Sequence, residues 1–247
     1  MSRQIQPARV LAEGVVIVAS ILLAFGIDAG WEEYRTRREI SGLLTKVNEE
    51  LVADRGNLVR AAGDQITAAM AALAVADLLD SAAPLRTPVM VPDSLLAAML
   101  RGVTYESRTP TIDGLTQSGR GSLIGDTRVV RAIAAWERWM RNAEEQQLAR
   151  TEWTHQQVIP ALARRADVGH ILRAGISARL MRDGDDVQGL GPPPQQLDPT
   201  GATSIQADPE IEALISQQAR ASAVARSSFL LAVSSTDSLI AAIGARR

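Results

Sequence analysis

The feature that most constrains this chain is an apolar run near its amino end, GVVIVASILLAFGI over residues 14–27. At about 1.5 Å per residue this run spans about 21 Å as a helix, which is less than the roughly 30 Å hydrocarbon core of a bilayer. Extension to Val10 and Trp31 gives about 33 Å and includes Glu13 and Asp28 within about one turn of the ends, where water and headgroups are in reach. We therefore predict a transmembrane helix over residues 10–31.

The residues that follow this span are typical of a membrane interface. Trp31 and Tyr34 lie where an aromatic belt belongs, and Arg35 begins a basic cluster at headgroup level. Two alternatives compete with the anchor. A basic start and a small-x-small pattern at residues 24–26 are typical of a cleaved signal peptide, and the shortness of the run is typical of a buried soluble helix. The helical pattern continues past Gly30, which favours the uncleaved anchor.

One face of the predicted anchor is unsuited to lipid. At 100° per residue its polar residues fall on a single stripe, and small residues spaced four apart allow another helix backbone to approach closely. We predict that this face binds integral membrane protein subunits, or a second copy of the chain, within the lipid bilayer. The predicted partner-binding residues are Glu13, Ser20, Ala24, Gly26, Asp28 and Gly30.

The rest of the chain is predicted to be all-α. Aromatic residues make up 3% of the sequence and apolar positions recur with helical spacing, so an aliphatic helical core is expected. We expect one rod from the anchor to about Arg55 and a further helix, kinked at Gly56 or Gly63, to about Leu79. Proline-rich residues 81–93 are predicted to be a loop, and no alternating run is long enough to predict a sheet.

Several helix ends can be placed from capping residues. Asp93, Asp126 and Asp208 each precede a helical pattern, and Asp208 is followed by proline and an acid. The predicted organisation is a basic tail (1–9), the transmembrane helix (10–31), an extrinsic helical domain (32–180), a Pro/Gly-rich loop (181–207) and a C-terminal helix (208–247) that packs on that domain or on a partner.

The segment IVASILLAFGIDAGWEEYRTRREISGLLTKVNEEL, followed by TIDGLTQSGRGSLIGDTRVVRAIAAW, resembles a family of uncharacterised bacterial proteins with one N-terminal membrane helix. The likeness covers roughly residues 10–160. It implies a helical architecture and a membrane location but no activity. Its motif residues are interpreted as a turn that docks two helices, and they are Leu115, Thr116, Ser118, Gly119, Leu123, Ile124 and Asp126.

No catalytic constellation emerges, and we predict neither an enzyme nor a bound cofactor. The glycines at 119, 121 and 125 follow a predicted helix and not the strand that a dinucleotide fingerprint requires. Glu152 and His155 form half of a di-iron motif without the second half, so a solvent-facing pair is expected and a metal is not. Cysteine is absent, and a net charge of −2 leaves no basic footprint for nucleic acid.

Two tryptophans three residues apart, Trp136 and Trp139, share a helix face. They are interpreted as core residues, and as an extrinsic interface if the pair is exposed. The leading functional hypothesis is a non-catalytic structural subunit of a larger membrane complex, with photosynthetic and respiratory assemblies as guesses. The alternatives are a ligand sensor that acts through a partner and, less favoured, a metal-dependent enzyme. The basic tail predicts an N-terminus on the cytoplasmic side and the main domain on the other, and the resemblance implies that the membrane is the bacterial inner membrane and the domain periplasmic.

Overall fold

A single helix, α1, runs from Pro7 to Asp80. The structure, a computed structural model, describes residues 7–103, 105–173 and 201–246. At about 1.5 Å per residue, the 74 residues of α1 extend for about 111 Å. The predicted anchor and the first helices of the extrinsic domain are therefore one continuous rod, and the helix continues through Gly56 and Gly63 because a lone helix glycine costs only about 1 kcal/mol relative to alanine.

Besides the helical residues 169–173, five further helices follow α1 in the described part of the chain. Aspartates at two of the three predicted sites cap the longest ones: Asp126 accepts a hydrogen bond from the amide of Arg128, and Asp208 accepts from the amides of Glu210 and Ile211. These caps confirm the sequence prediction. The helices are α2 (Asp93–Leu100), α3 (Pro110–Gln117), α4 (Thr127–Trp153), α5 (Ile159–Ala163) and α6 (Pro209–Gly244).

Helix α4 leads into a π-helical turn, Thr154–Val158, before α5 begins. Pro160 lies in the first turn of α5 and has no amide hydrogen to donate to the preceding turn. A wider turn just before the proline accommodates that missing bond, since π-turns insert one residue into a helix. The sequence predicted only that helical periodicity would persist up to Pro160.

Two short strands form an antiparallel ribbon, β1 (Pro88–Pro92) and β2 (Ala202–Gln206), in which Val89 pairs with Ile205. Both lie in segments that were predicted to be loops, and that prediction is wrong for these residues. Thr203 and Ile205 point inward while their neighbours are exposed, so β2 has the period of a half-buried strand. The rest of the predicted Pro/Gly-rich loop, residues 181–200, lies outside the described part of the chain.

The predicted all-α class is confirmed in outline, with this ribbon as the departure. Helix α6 packs along both α1 and α4, while α2 and α3 pack against α1. Helix α6 runs antiparallel to α1, because β2 starts α6 beside the far end of α1 and Asp237 near the end of α6 pairs with Arg55. The end of α6 therefore returns towards the projecting amino-terminal part of α1.

The interior contains two apolar clusters. The first, near the projecting end, joins residues 40–62 of α1 to α3, the first half of α4 and the second half of α6. The second joins residues 71–79 of α1 to α2, the α5 region, β2 and the first half of α6. Leu51 and Phe229 anchor the first, and Leu79 and Ile211 the second; all four are fully buried.

Candidate functional site

The amino-terminal part of α1 projects beyond the bundle. Within the described side chains, those of residue 18 and residues 20–35 are exposed, and the first buried one is Ile40. Leu22, Leu23 and Phe25 are 65%, 67% and 69% exposed. Free soluble proteins seldom expose a contiguous apolar surface of this kind, which marks an interaction site.

Two helices of the described chain, α1 and α6, are long and apolar enough to cross a membrane by length and composition. In both helices the most apolar stretch lies partly inside the bundle, 50% buried in α1 and 39% buried in α6, as in the core helix of a soluble protein. The projecting part of α1 differs from both stretches because its large apolar side chains have no bundle around them.

The predicted partner-binding stripe lies on this projection. Ser20, Ala24 and Asp28 are exposed, and a Cβ atom added at Gly26 or Gly30 would meet no other atom within 4 Å. The small residues therefore serve no packing within the described chain. The side chain of Glu13, which was predicted to belong to the same stripe, lies outside the described part.

The predicted interfacial anchor is also exposed. The rings of Trp31 and Tyr34 are tilted against each other with centroids 5.9 Å apart, and Arg35 lies in the same turn. Glu33 and Arg37, four residues apart, form an ion pair on the adjacent face. An aromatic pair followed by charged side chains is the arrangement found where a helix leaves a bilayer.

A shallow cleft separates α1 from the bundle at this level. One wall is α1 itself, and the other combines a 3₁₀ turn over residues 120–124 with the end of α6. The cleft shows that the bundle extends to the level of the aromatic pair along α1. Its lining residues are Ala29, Glu32, Glu33, Thr36, Arg37, Leu123, Ile124, Gly125 and Arg246.

The 3₁₀ turn, which joins α3 to α4, contains Leu123 and Ile124 of the seven motif residues named from the sequence, and the other five lie on either side of it. Gly119 and Gly125 bracket it with φ of +69°, a conformation that side chains rarely adopt. Leu115 and Ile124 are buried in the first apolar cluster. Thr116 donates to Glu137 at 2.8 Å and so ties α3 to α4. These contacts fit a turn that docks two helices.

The two tryptophans do not form an exposed pair. Trp136 is 3% exposed and donates its indole N–H to Thr236 Oγ1 at 3.2 Å, while Trp139 is half-buried with Arg138 over its ring. Trp136 is the more buried because α6 covers its face of α4. The interpretation as an extrinsic interface is therefore wrong for Trp136, and the interpretation as core is confirmed.

The residues considered for metal binding do not form a site in the described chain. Glu152 and His155 are both exposed, as expected for a solvent-facing pair. The described residues include no group of three or more histidine and acidic side chains placed to hold a metal ion.

A buried polar layer that sequence reasoning missed separates the two apolar clusters. Its centre is Arg150, which is 1% exposed and donates to Ser222 Oγ (3.2 Å), Arg101 O (2.8 Å) and Met99 O (3.1 Å). In the described chain no carboxylate pairs with it, and burial lowers the pKa of Arg150 to about 10. Arg150 lies on the buried face of α4, seven residues after Ala143, and that spacing is the signal that the sequence offered.

The same layer extends into the π-helical turn. Thr154 and Gln218 exchange hydrogen bonds at 2.8–3.1 Å, and both are buried. Gln65 of α1 is fully buried between the two clusters, and its amide atoms have no hydrogen-bond partner in the described chain. Buried polar side chains that bond to one another fix the relative positions of the helices that carry them.

Two acidic side chains connect distant segments. Asp93, predicted as a helix cap, instead accepts from Thr203 Oγ1 at 2.6 Å and contacts His170 Nε2 at 3.0 Å, because these tertiary partners outcompete the local amides. Asp54 accepts from the hydroxyl of Tyr105 inside the first cluster. Burial raises the pKa of the Asp54 carboxyl and, with help from that carboxyl, the pKa of Tyr105.

Comparison of the chain with protein-family models, with curated proteins and with solved structures found no match.

Proposed function

We propose that this protein is a membrane-anchored, non-catalytic subunit that attaches a helical bundle to a larger membrane protein assembly. The observation that carries the proposal is the uncovered apolar projection of α1, which ends in the Trp31–Tyr34 pair. Its exposed side chains match a bilayer in polarity, and the extended span matches one in length.

The projection has two different faces, which supports a protein partner in addition to lipid. Leu22 lies about 160° around the helix from the centre of the stripe that contains Ser20, Ala24 and Asp28. Lipid is as apolar as leucine, so it satisfies the Leu22 face, while the acidic and small residues suit another helix. The assembly that supplies this helix is of the integral membrane class, and photosynthetic and respiratory complexes remain guesses.

The continuous α1 supports an attachment role. A helix without a break between span and bundle holds the bundle at a fixed height and rotation relative to the membrane partner, whereas a flexible linker would not. The buried polar layer around Arg150 fixes the helices of the bundle in turn. The bundle accordingly behaves as a rigid block that can contact neighbouring subunits at the membrane surface.

The test is site-specific photo-crosslinking in native membranes. A photoreactive residue at Ala24 is expected to form a crosslinked product of discrete mass with another polypeptide, and the same residue at Leu22 is expected to react mainly with lipid. Mass spectrometry of the Ala24 product identifies the partner, which includes a second copy of this chain. Equal crosslinking from both positions, or none from Ala24 in protein that resists carbonate extraction, would refute the proposed partner-binding face.

A further inference from the structure

Leu123 is an exposed apolar residue of the 3₁₀ turn, next to the buried Ile124. Of its motif companions, Leu115 and Ile124 lie in the apolar core and Asp126 caps α4, yet Leu123 is 51% exposed. It occupies the 3₁₀ turn between Gly119 and Gly125, whose positive φ angles fix the shape of the turn. An apolar side chain at the tip of a short, rigid turn has no core of its own to enter.

The cleft places this leucine beside the membrane end of α1. Leu123 and Gly125 share the cleft with residues from Ala29 to Arg37, an interval that spans about 12 Å along the helix axis. Trp31 and Tyr34 lie within that interval. The polar interfacial zone of a bilayer is about 5–8 Å deep on each side, so a turn at this level lies in or beside it.

The charges around the cleft are balanced. Its lining includes two acids, Glu32 and Glu33, and two bases, Arg37 and Arg246, and Glu33 is paired with Arg37. The cleft lining itself therefore has no net charge to attract acidic headgroups, and a membrane contact made by the turn depends on the apolar side chain. This separates the turn from a polybasic surface, whose binding falls as salt rises.

We propose that the 120–124 turn is a second membrane contact, in which Leu123 enters the interfacial zone of the bilayer that α1 crosses. The proposal rests on the proposed anchor and adds the tilt of the bundle relative to the bilayer plane. The continuous helix fixes the bundle relative to the span, but the span itself can tilt in the bilayer. A second contact on one side of α1 selects the orientation in which the end of α6 and the 3₁₀ turn face the lipid.

The experiment uses the full chain in lipid vesicles. Because the sequence has no cysteine, single cysteines carrying an environment-sensitive fluorophore can be introduced at Ile27, at Leu123 and at Leu85, which is 75% exposed in the segment between α1 and β1 at the far end of the bundle. Quenching by lipids that bear a quencher near the headgroup is measured for each variant. A fourth label at Arg246, in the same cleft, guards against local damage to the turn.

Labels at positions 27 and 123 are expected to show severalfold more quenching than the label at 85. Quenching of the label at 246 is expected to lie between these two levels. Quenching at 123 is expected to be the same in phosphatidylcholine vesicles with or without phosphatidylglycerol, and at low or high salt. If the label at position 27 is quenched but the labels at 123 and 246 are quenched no more than the label at 85, the second contact is overturned and the anchor stands. Absence of quenching at 27 and 123 together overturns the anchor as well.

Discussion

Arginine substitutions in the projecting helix test whether its exposed apolar side chains hold the protein in a bilayer. Six large apolar residues between positions 18 and 27 are 50–69% exposed: Val18, Ile21, Leu22, Leu23, Phe25 and Ile27. Complete burial of such a side chain contributes about 1.5–3 kcal/mol, so transfer of the exposed share of six contributes about 6–12 kcal/mol. That range is sufficient for stable attachment.

Each arginine near the centre of the span removes about 1–2 kcal/mol of this and adds about 2.5–3.5 kcal/mol for the charge. Leu22→Arg alone therefore costs about 4–5 kcal/mol and is expected to leave most of the protein in the membrane. Leu22→Arg with Phe25→Arg costs about 8–10 kcal/mol, which is about the contribution of the six side chains counted, and is expected to release a large part of the protein. The assay is the fraction that sediments with membranes after alkaline carbonate treatment.

Leu85→Arg is the matched control, because Leu85 is apolar and 75% exposed but lies at the far end of the bundle. It is expected to leave sedimentation unchanged. Since Leu22 and Phe25 make no core contacts, circular dichroism should give the same thermal midpoint of the bundle for every variant. Retention of the double variant in the carbonate pellet, or equal release of Leu85→Arg, would contradict the calculation.

Three further predictions concern the bundle and are measured by chemical unfolding of detergent-solubilised protein. Trp136→Phe removes the hydrogen bond to Thr236 and leaves a buried hydroxyl without its donor, so the free energy of unfolding should fall by about 1–3 kcal/mol, and Thr236→Val should restore part of the loss. Arg150→Met should lower the free energy of unfolding by about 2 kcal/mol or more. It removes three hydrogen bonds from a charged donor, each about 1.5–3 kcal/mol, and relieves roughly 3 kcal/mol of desolvation, since burial lowers the pKa of Arg150 to about 10. A neutral or stabilising result would show that the cost of burying the charge dominates. Asp208→Ala should cost about 1–2 kcal/mol near neutral pH through the lost cap of α6 and the lost pair with Arg165. Because Arg165 holds the pKa of Asp208 below its usual 3.8, this stabilisation is present above pH 3.8 and is lost as the pH falls through the lowered value, so the wild-type and variant unfolding curves should converge in acid.

Elements whose signals are local could be predicted from the amino-acid sequence alone. The apolar run with its aromatic and basic boundary, the long helical periodicity of α1, and the caps Asp126 and Asp208 depend on residues within a few positions of one another. Hydrophobic periodicity and capping are properties of a short segment, so they can be read without knowledge of distant partners. The placement of Trp136 in the core follows from the same periodicity.

Features that join segments far apart in the chain are visible only in the folded structure. Strand β2 forms because it pairs with β1, which lies more than 100 residues earlier in the chain. Asp93 contacts Thr203 and His170 and does not cap the helix as predicted. The buried layer at Arg150 and the position of Leu123 in a cleft with Glu32 and Glu33 depend in the same way on how α6 and the 3₁₀ turn return to α1. Side-chain pairing across long sequence separations depends on the relative positions of packed helices, and local propensity does not specify those positions.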